Sequence, residues 1–270
     1  MPDKEKNIKV LFFGDIVGKI GRQALKKTLP QLKKKYSPDF VMANAENLAH
    51  GIGITAKTLQ EVKDAGVDFF TSGNHIWKKE EANEILEKSQ GIIRPANYAN
   101  KSGRGWQIAK IKNHSLLIIN LMGRTFIEDE LKNPFQIVDE ILTENQGKKL
   151  AGAIIDFHAE ATSDKVALGW HLDGRVSAVI GTHTHVPTAD AKILPQGTAY
   201  ITDVGMVGAS DSVLGVVKEN ILEKFVKETA KVHEIPEKGD CLINAVLITI
   251  NPTTGLATDI KRIDKEIKID

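Results

Sequence analysis

The sequence predicts an α/β protein on the basis of two observations. Short apolar runs rich in Val, Ile and Phe recur along the chain, and amphipathic segments separate them. This alternation is expected when the buried strands of a sheet are connected by covering helices. The chain has 270 residues, 41% hydrophobic and 26% charged, which is enough to bury one substantial core. We therefore expect a single domain over residues 1–270.

The predicted strands are mostly continuous apolar runs, as strands buried on both faces should be. They are expected at 8–13, 40–43, 67–71, 116–121, 153–157, 176–180, 199–202 and 242–250.

The predicted helices occupy the amphipathic segments between these strands. In the first of them, Leu25, Leu29 and Leu32 share one face and lysines lie opposite. The second begins with Thr55, a residue type that caps helix N-termini. Helices are expected at 22–36, 55–65, 78–88, 135–144 and 219–232.

The charge balance limits the classes of partner. Lys and Arg total 36 against 35 Asp and Glu, so no overall field favours duplex nucleic acid or an anionic membrane. The first ten residues are charged and lead directly into a strand, and no later run approaches the length of a membrane span. These features predict a cytoplasmic protein without a membrane partner. The only cysteine, Cys241, lies in an apolar run and is expected to be a buried, inert thiol.

Polar residues with metal-binding side chains follow five of the predicted strands. They are Asp15, Glu46, Asn47, Asn74, His75, His158, His183 and His185. In open α/β sheets, ligands bind at the carboxyl ends of the strands, so these clusters can converge on one place. Singly, each has an ordinary structural explanation, since Asp and Asn suit turns and a lone His is usually a satisfied polar group.

Together, these side chains offer nitrogen and oxygen ligands without thiolate. Such a set suits Mn, Fe or Zn and argues against Ca or Mg alone. The pair His183 and His185 suits chelation whether the segment is extended or a loop. There are enough ligands for two ions bridged by a carboxylate, an arrangement that can clamp the oxygens of a displacement at phosphorus. The residues therefore favour phosphoryl chemistry.

At these residues the sequence resembles the calcineurin-like metallophosphoesterase superfamily, and within it the YmdB-like bacterial phosphodiesterase branch. The resemblance rests on the segments GDIVGKIGR, NAENLAHGIGIT, TSGNHIW, DFHAEATSDK, LGWHLDGRVSAVIGTHTHVPTAD and GTAYITDVGMVG. It implies a two-sheet sandwich flanked by helices, with the active site at the carboxyl ends of the strands. It also implies two metal ions, often iron or manganese, activity on cyclic nucleotides and related phosphodiesters, and self-association into a homo-oligomer.

Three positions depart from the broad superfamily pattern. Val17 stands where a histidine ligand is common, and Glu46-Asn47 replaces the usual Gly-Asp. Both departures are typical of the YmdB-like branch. The third is Ile76, which stands after His75 in place of an acidic residue that would orient the imidazole.

The expected mechanism is hydrolysis of a 2',3'- or 3',5'-cyclic nucleotide, or a related phosphodiester, by a hydroxide that bridges two divalent or mixed-valence ions. Asp15, Asn47 and His185 are assigned to the first metal, and Asn74, His158 and His183 to the second. Glu46 is assigned to both as the bridge. His75 is the expected general acid for the leaving oxygen, with a purely structural histidine as its alternative.

Two other functions are compatible with the same residues. One is a phosphomonoesterase or protein phosphatase, because a two-metal core handles both ester types. The other is a metal-bearing regulatory protein associated with RNA, so that nucleic acid enters only as a substrate or regulatory target. Arg124 could contact a phosphate oxygen or form a surface salt bridge. The histidines His50, His114, His171 and His233 are expected to be structural.

Overall fold

The computed structural model describes residues 6–229 and 232–270. The strands are β1 (Ile8–Ile16), β2 (Phe40–Asn44), β3 (Phe69–Thr71), β4 (Trp106–Ile111), β5 (His114–Met122), β6 (Ala153–His158), β7 (Ala178–Thr182), β8 (Lys192–Ile193), β9 (Ala199–Ile201), β10 (Met206–Ala209), β11 (Gly239–Ile250) and β12 (Ala257–Ile269). The helices are α1 (Gly18–Tyr36), α2 (Ala56–Asp64), α3 (Ala82–Lys88), α4 (Pro134–Glu144), α5 (Thr162–His171) and α6 (Lys218–Lys227).

The strands form two six-stranded mixed sheets. The first has the order β12-β11-β10-β1-β2-β3, and β1 also pairs with β11 before β10 takes that place near its end. The second has the order β4-β5-β6-β7-β9-β8. β1, β2 and β3 run parallel in the first sheet, and β5, β6, β7 and β9 run parallel in the second. Each sheet therefore has a set of carboxyl ends at one edge.

Apolar side chains pack in layers on both faces of each sheet. Between the sheets, Phe12 and Met42 of the first sheet share a buried cluster with Ile118 and Ile180 of the second. The outer face of the first sheet packs against α1, and that of the second sheet packs against α4 and α5. The layer order is helix, sheet, sheet, helix, so the predicted α/β class and two-sheet sandwich are confirmed.

All eight predicted strands are present, with small shifts of their ends. β1 continues to Ile16, so Asp15 lies within the strand rather than after it. Strands β4, β8, β10 and β12 and helix α5 were not predicted. β12 alternates buried and exposed side chains, because it is a sheet edge with one solvated face, and so lacks the apolar run of a central strand.

The predicted helices are also present. Thr55 caps α2 as expected, since its side chain accepts from the backbone of Thr58. α6 ends at Lys227, earlier than predicted, and Ala230 and Lys231 of the predicted segment lie outside the described residues. Residues 1–5 of the charged start also lie outside them. Among the helices that are described, none combines the length and apolar character needed to cross a membrane.

Candidate metal centre

The structure brings the predicted site residues to the carboxyl ends of five strands. Asp15 and His158 lie at the ends of β1 and β6; the others lie in the loops that follow β2, β3 and β7. The tightest group is Glu46, His158 and His183, whose ligand atoms all lie within 4.8 Å of one another. The expected convergence on one place, between the carboxyl ends of strands from both sheets, is therefore observed for every predicted residue except Asn74, for which no contact with the others is found in the described part of the chain.

The Glu46 carboxylate lies at the middle of this group. Its Oε1 is 3.2 Å from His158 Nε2 and 3.4 Å from His75 Nδ1, and its Oε2 accepts the His75 backbone N–H at 3.1 Å. His183 Nδ1 is 2.9 Å from His158 Nε2. Two imidazole nitrogens and a carboxylate oxygen thus face a common point.

Asp15, Asn47 and His185 form a second group beside the first. His185 Nε2 lies 4.0 Å from Asp15 Oδ1 and 3.3 Å from Asn47 Nδ2. The Asn47 amide turns its nitrogen to His185, whereas a metal ligand would present its oxygen. A half-turn of the amide exchanges the two atoms, so the contact of Asn47 Oδ1 with His75 belongs to the protein without metal.

Two buried oxygens of the predicted ligands have no hydrogen-bond partner among the described residues, namely Asp15 Oδ1 and Asn74 Oδ1. Leaving a buried acceptor unpaired costs about 1–3 kcal/mol, and a cation would satisfy it. Gly73 leaves room at the same place, since a Cβ there would lie 2.2 Å from His158 Nε2 and 2.3 Å from Glu46 Oε2. The donor set, the orphaned oxygens and the glycine all fit divalent metal ions bound through nitrogen and oxygen.

The protonation of the cluster follows from its burial. Burial would raise the pKa of Glu46, but the charge and hydrogen bond of His158 hold it well below its usual value. Burial would lower the pKa of His158, but Glu46 and the aspartates raise it to about 9. Burial and the neighbouring His158 charge lower the pKa of His183 to about 3, so His183 is neutral. In the protein without metal, one proton is therefore held at His158.

His75 is oriented by neighbours that the sequence did not reveal. Its Nδ1 lies 3.2 Å from Asn47 Oδ1 and close to Glu46 Oε1. The loop after β2 therefore orients the imidazole, although Ile76 stands where an acidic residue is common. The His75 side chain is 34% exposed. The side-chain contacts found for His75 within the described residues are made by Nδ1 and not by Nε2.

A buried hydrogen-bond network behind His158 is not predicted by the sequence. Thr182 Oγ1 lies 2.9 Å from His158 Nδ1 and donates to Asp156 Oδ1 at 2.6 Å. Asn44 Nδ2 donates to the other Asp156 oxygen at 3.0 Å. Such partners fix a ligating imidazole so that its other nitrogen faces the metal. The available signal was Asp156 itself, a charged residue inside the apolar strand β6.

The loop that carries His183 and His185 is held by a buried ion pair that the sequence also does not predict. His183 and His185 have φ angles of +103° and +64°, which is uncommon for residues other than glycine. Asp203 Oδ2 accepts the Thr184 backbone N–H at 3.1 Å and the Lys165 Nζ at 2.7 Å, and both charged side chains are 1% exposed. This buried ion pair anchors the loop between the two histidines.

Arg124 follows β5 at the same edge and is exposed. Its backbone N–H donates to Asp164, and within residues 6–229 and 232–270 its guanidinium forms no ion pair. The alternative of a surface salt bridge is therefore not observed there, and contact with a phosphate stays a prediction.

Comparisons with known proteins agree with this architecture. The YmdB-like protein family matches residues 11–263. A Bacillus subtilis (strain 168) protein named 2',3'-cyclic-nucleotide 2'-phosphodiesterase is 45% identical over 257 residues, covering 95% of this chain and 96% of that protein.

Two solved structures show the same fold. A Mycoplasma pneumoniae protein described as a novel phosphatase has a TM-score of 0.91 and 35% identity, covering 98% of this chain and 95% of that one. A putative 5'-nucleotidase from Staphylococcus aureus has a TM-score of 0.61 and 13% identity, covering 96% of this chain and 54% of that one. At that identity the second likeness shows the fold alone.

Removing the cation of the buried pair should destabilise the protein strongly. In Lys165→Ala, Asp203 would remain buried without its partner, which typically costs about 3–5 kcal/mol. The matched control is Lys88→Ala, which breaks the exposed pair of Lys88 with Glu84 and should leave the unfolding midpoint close to the native value. Urea unfolding of the metal-free variants measures both. Equal midpoints for the two variants would show that the buried pair does not anchor the loop.

Metal binding should release a proton near neutral pH. A metal must displace the proton on His158, whose pKa is about 9, so affinity should rise with pH up to that value. Below it, each pH unit should cost about tenfold in affinity for one displaced proton. Calorimetric titration with Mn²⁺ in two buffers of different ionisation enthalpy measures the release. His114→Ala should behave like the native chain, and a binding heat independent of buffer would contradict the prediction.

Proposed function

Because the chain belongs to the YmdB-like family, we propose that it is a metal-dependent phosphodiesterase that hydrolyses 2',3'-cyclic nucleotides. The observation that carries the proposal is the buried group of Glu46, His158 and His183 at the carboxyl ends of the strands. The name of the Bacillus subtilis relative supports the ester type. Both support the enzyme class expected from the sequence, a phosphoric diester hydrolase.

The proposed ligand assignment is the one expected from the sequence, and the two groups of side chains support it. Asp15, Asn47 and His185 would hold one ion, and Asn74, His158 and His183 the other. Glu46 would contact both, since its two oxygens can bind separate ions. Iron or manganese is the proposed identity, with zinc as the alternative. When bound, the ions supply Lewis acidity, which lowers the pKa of water and offsets the charge of the phosphate.

His75 is the proposed general acid. Glu46 Oε1 lies 3.4 Å from its Nδ1, and the side chain is partly exposed at the site. In hydrolysis of a 2',3'-cyclic phosphate, water bonds to phosphorus and gives one proton to the solvent, which later reprotonates His75, as the bond from phosphorus to the 2' oxygen breaks. A proton from His75 Nε2 to that oxygen yields the 2' hydroxyl, and the phosphate stays on the 3' oxygen.

A phosphomonoesterase is the second candidate, because the similar Mycoplasma pneumoniae structure is described as a phosphatase. The two activities share the metal chemistry and differ in whether the site accepts a second ester group. The cytoplasmic location, the homo-oligomer, the single domain over 1–270 and an RNA-linked regulatory role stay predictions from the sequence.

A substrate panel tests the proposed ester type. Protein of measured metal content should hydrolyse 2',3'-cyclic AMP with a higher kcat/KM than 3',5'-cyclic AMP, bis-nitrophenyl phosphate or mono-nitrophenyl phosphate. The product should be the 3'-phosphate, which chromatography separates from the 2' isomer. A higher kcat/KM for the monoester would identify a phosphatase instead.

Two substitutions separate the roles of His75 and Glu46. His75→Ala should retain metal and lose about 10²- to 10⁴-fold in kcat, the usual effect of removing a general acid. Glu46→Ala should lose metal and activity together, because it removes the shared ligand. Plasma mass spectrometry and initial rates measure both properties. Full turnover by His75→Ala, or an unchanged metal content in Glu46→Ala, would contradict the respective role.

A further inference from the structure

A cavity of about 350 Å³ lies beside the loop that carries Glu46 and Asn47. Its walls are Lys19 at the start of α1, His50 in the loop after β2, and the segment 232–237 that leads into β11. Ligand pockets usually span about 300–1,000 Å³, so the cavity can hold a small planar group.

The segment 232–237 is packed onto the backbone of the candidate metal centre. A Cβ on Gly18 would lie 2.7 Å from Ile235 Cγ2, and one on Gly51 would lie 2.5 Å from Ile235 Cδ1. Gly18 N–H donates to the Asn47 carbonyl at 2.9 Å, and Gly53 N–H donates to that of Glu46 at 2.6 Å. Ile235 therefore fixes the cavity against the loop that holds two proposed ligands.

His233 lies on the side of the cavity that faces the metal centre. Its Nε2 is 3.4 Å from the position that a Gly51 Cβ would take. Burial and the charges of His75 and His185 lower the pKa of His233. By its contact with Gly51, His233 lies against the loop that carries Glu46 and Asn47.

The chemistry of the cavity suits a neutral aromatic group. Val232, Ile235 and Pro236 give it an apolar face, His50 and His233 add two imidazoles, and Glu234 adds one carboxylate. The ammonium of Lys19 is already paired with Glu237 at 2.8 Å, so it is not free to bind a phosphate. Histidine rings are among the side chains on which nucleobases stack.

Resting on the proposed function, we propose that this cavity is the nucleobase subsite of the enzyme. His233 stacks on or hydrogen-bonds the base while the phosphate lies at the metal centre. On this proposal His233 and His50 determine specificity, and the structural role expected for them from the sequence is the alternative.

A second cavity of about 540 Å³ lies on the Arg124 side of the edge. Asp129, Glu130 and Asp164 line it beside Arg124, so its charge is mainly acidic. Among the described residues, no histidine lines this second cavity. It is the alternative binding site for the base.

The kinetic test compares two substrates that differ only in the base. These are 2',3'-cyclic AMP and the 2',3'-cyclic phosphate of methyl riboside. The native enzyme should prefer the nucleotide in kcat/KM, and His233→Ala should reduce this preference about tenfold, mainly through KM. His233→Phe keeps a stacking ring and should retain more of it. The control His114→Ala should keep the native preference.

A binding test works without turnover. Ligand-observed NMR should show that metal-free protein binds adenosine, that methyl riboside does not bind, and that His233→Ala weakens the adenosine Kd about tenfold. If the native enzyme hydrolyses neither cyclic phosphate, the proposed function fails, whereas loss of adenosine binding in His233→Ala still supports the subsite. An adenosine Kd equal in the native and His233→Ala proteins overturns it. Loss of the base preference in Arg124→Ala but not in His233→Ala also overturns it.

Discussion

The contact between Glu46 and His158 joins the two sheets at the candidate metal centre. Glu46 follows β2 of the first sheet, and His158 ends β6 of the second, with 3.2 Å between Oε1 and Nε2. Both side chains are at most 1% exposed. A single buried charge would cost several kcal/mol, and the opposite charge offsets that cost. The site therefore forms only when the two sheets pack in the relative position that brings Glu46 to His158.

Apolar packing alone would not fix the relative position of the two sheets, because the hydrophobic effect is non-directional. Directional hydrogen bonds of a buried polar network fix this relative position. Asn44 of β2 donates to Asp156 of β6, and the Ser72 backbone after β3 donates to Asn120 of β5 at 2.9 Å. Each bond crosses from one sheet to the other. A slip between the sheets would leave these groups unpaired in the interior, and the same slip would separate Glu46 from His158.

The sequence was sufficient to predict that the candidate ligands follow several strands. It was not sufficient to predict which other residues hold those ligands in place. Polar residues after apolar strands predicted the convergence, because the carboxyl ends of parallel strands share an edge. The Lys165 and Asp203 pair could not be predicted, since the partners are 38 residues apart and α5 was not recognised. The orienting role of Asn47 at His75 likewise depends on loop geometry. The histidines of the 232–237 segment and of the loop after β2 gave no periodic pattern that indicates a cavity.

The His-x-His segment shows why local conformation matters to the proposed metal chemistry. An extended segment would direct both imidazoles the same way, about 6.6 Å apart. With left-handed φ angles at both histidines, His183 instead turns Nδ1 to His158, and His185 turns Nε2 to Asp15. Such backbone states cost about 1–3 kcal/mol each and persist only where neighbours hold them. Asp15 helps to hold them, because its Oδ2 accepts the His183 backbone N–H at 3.1 Å. Its Oδ1 is left without a partner, so one carboxylate both shapes the loop and offers the free oxygen that a metal would take.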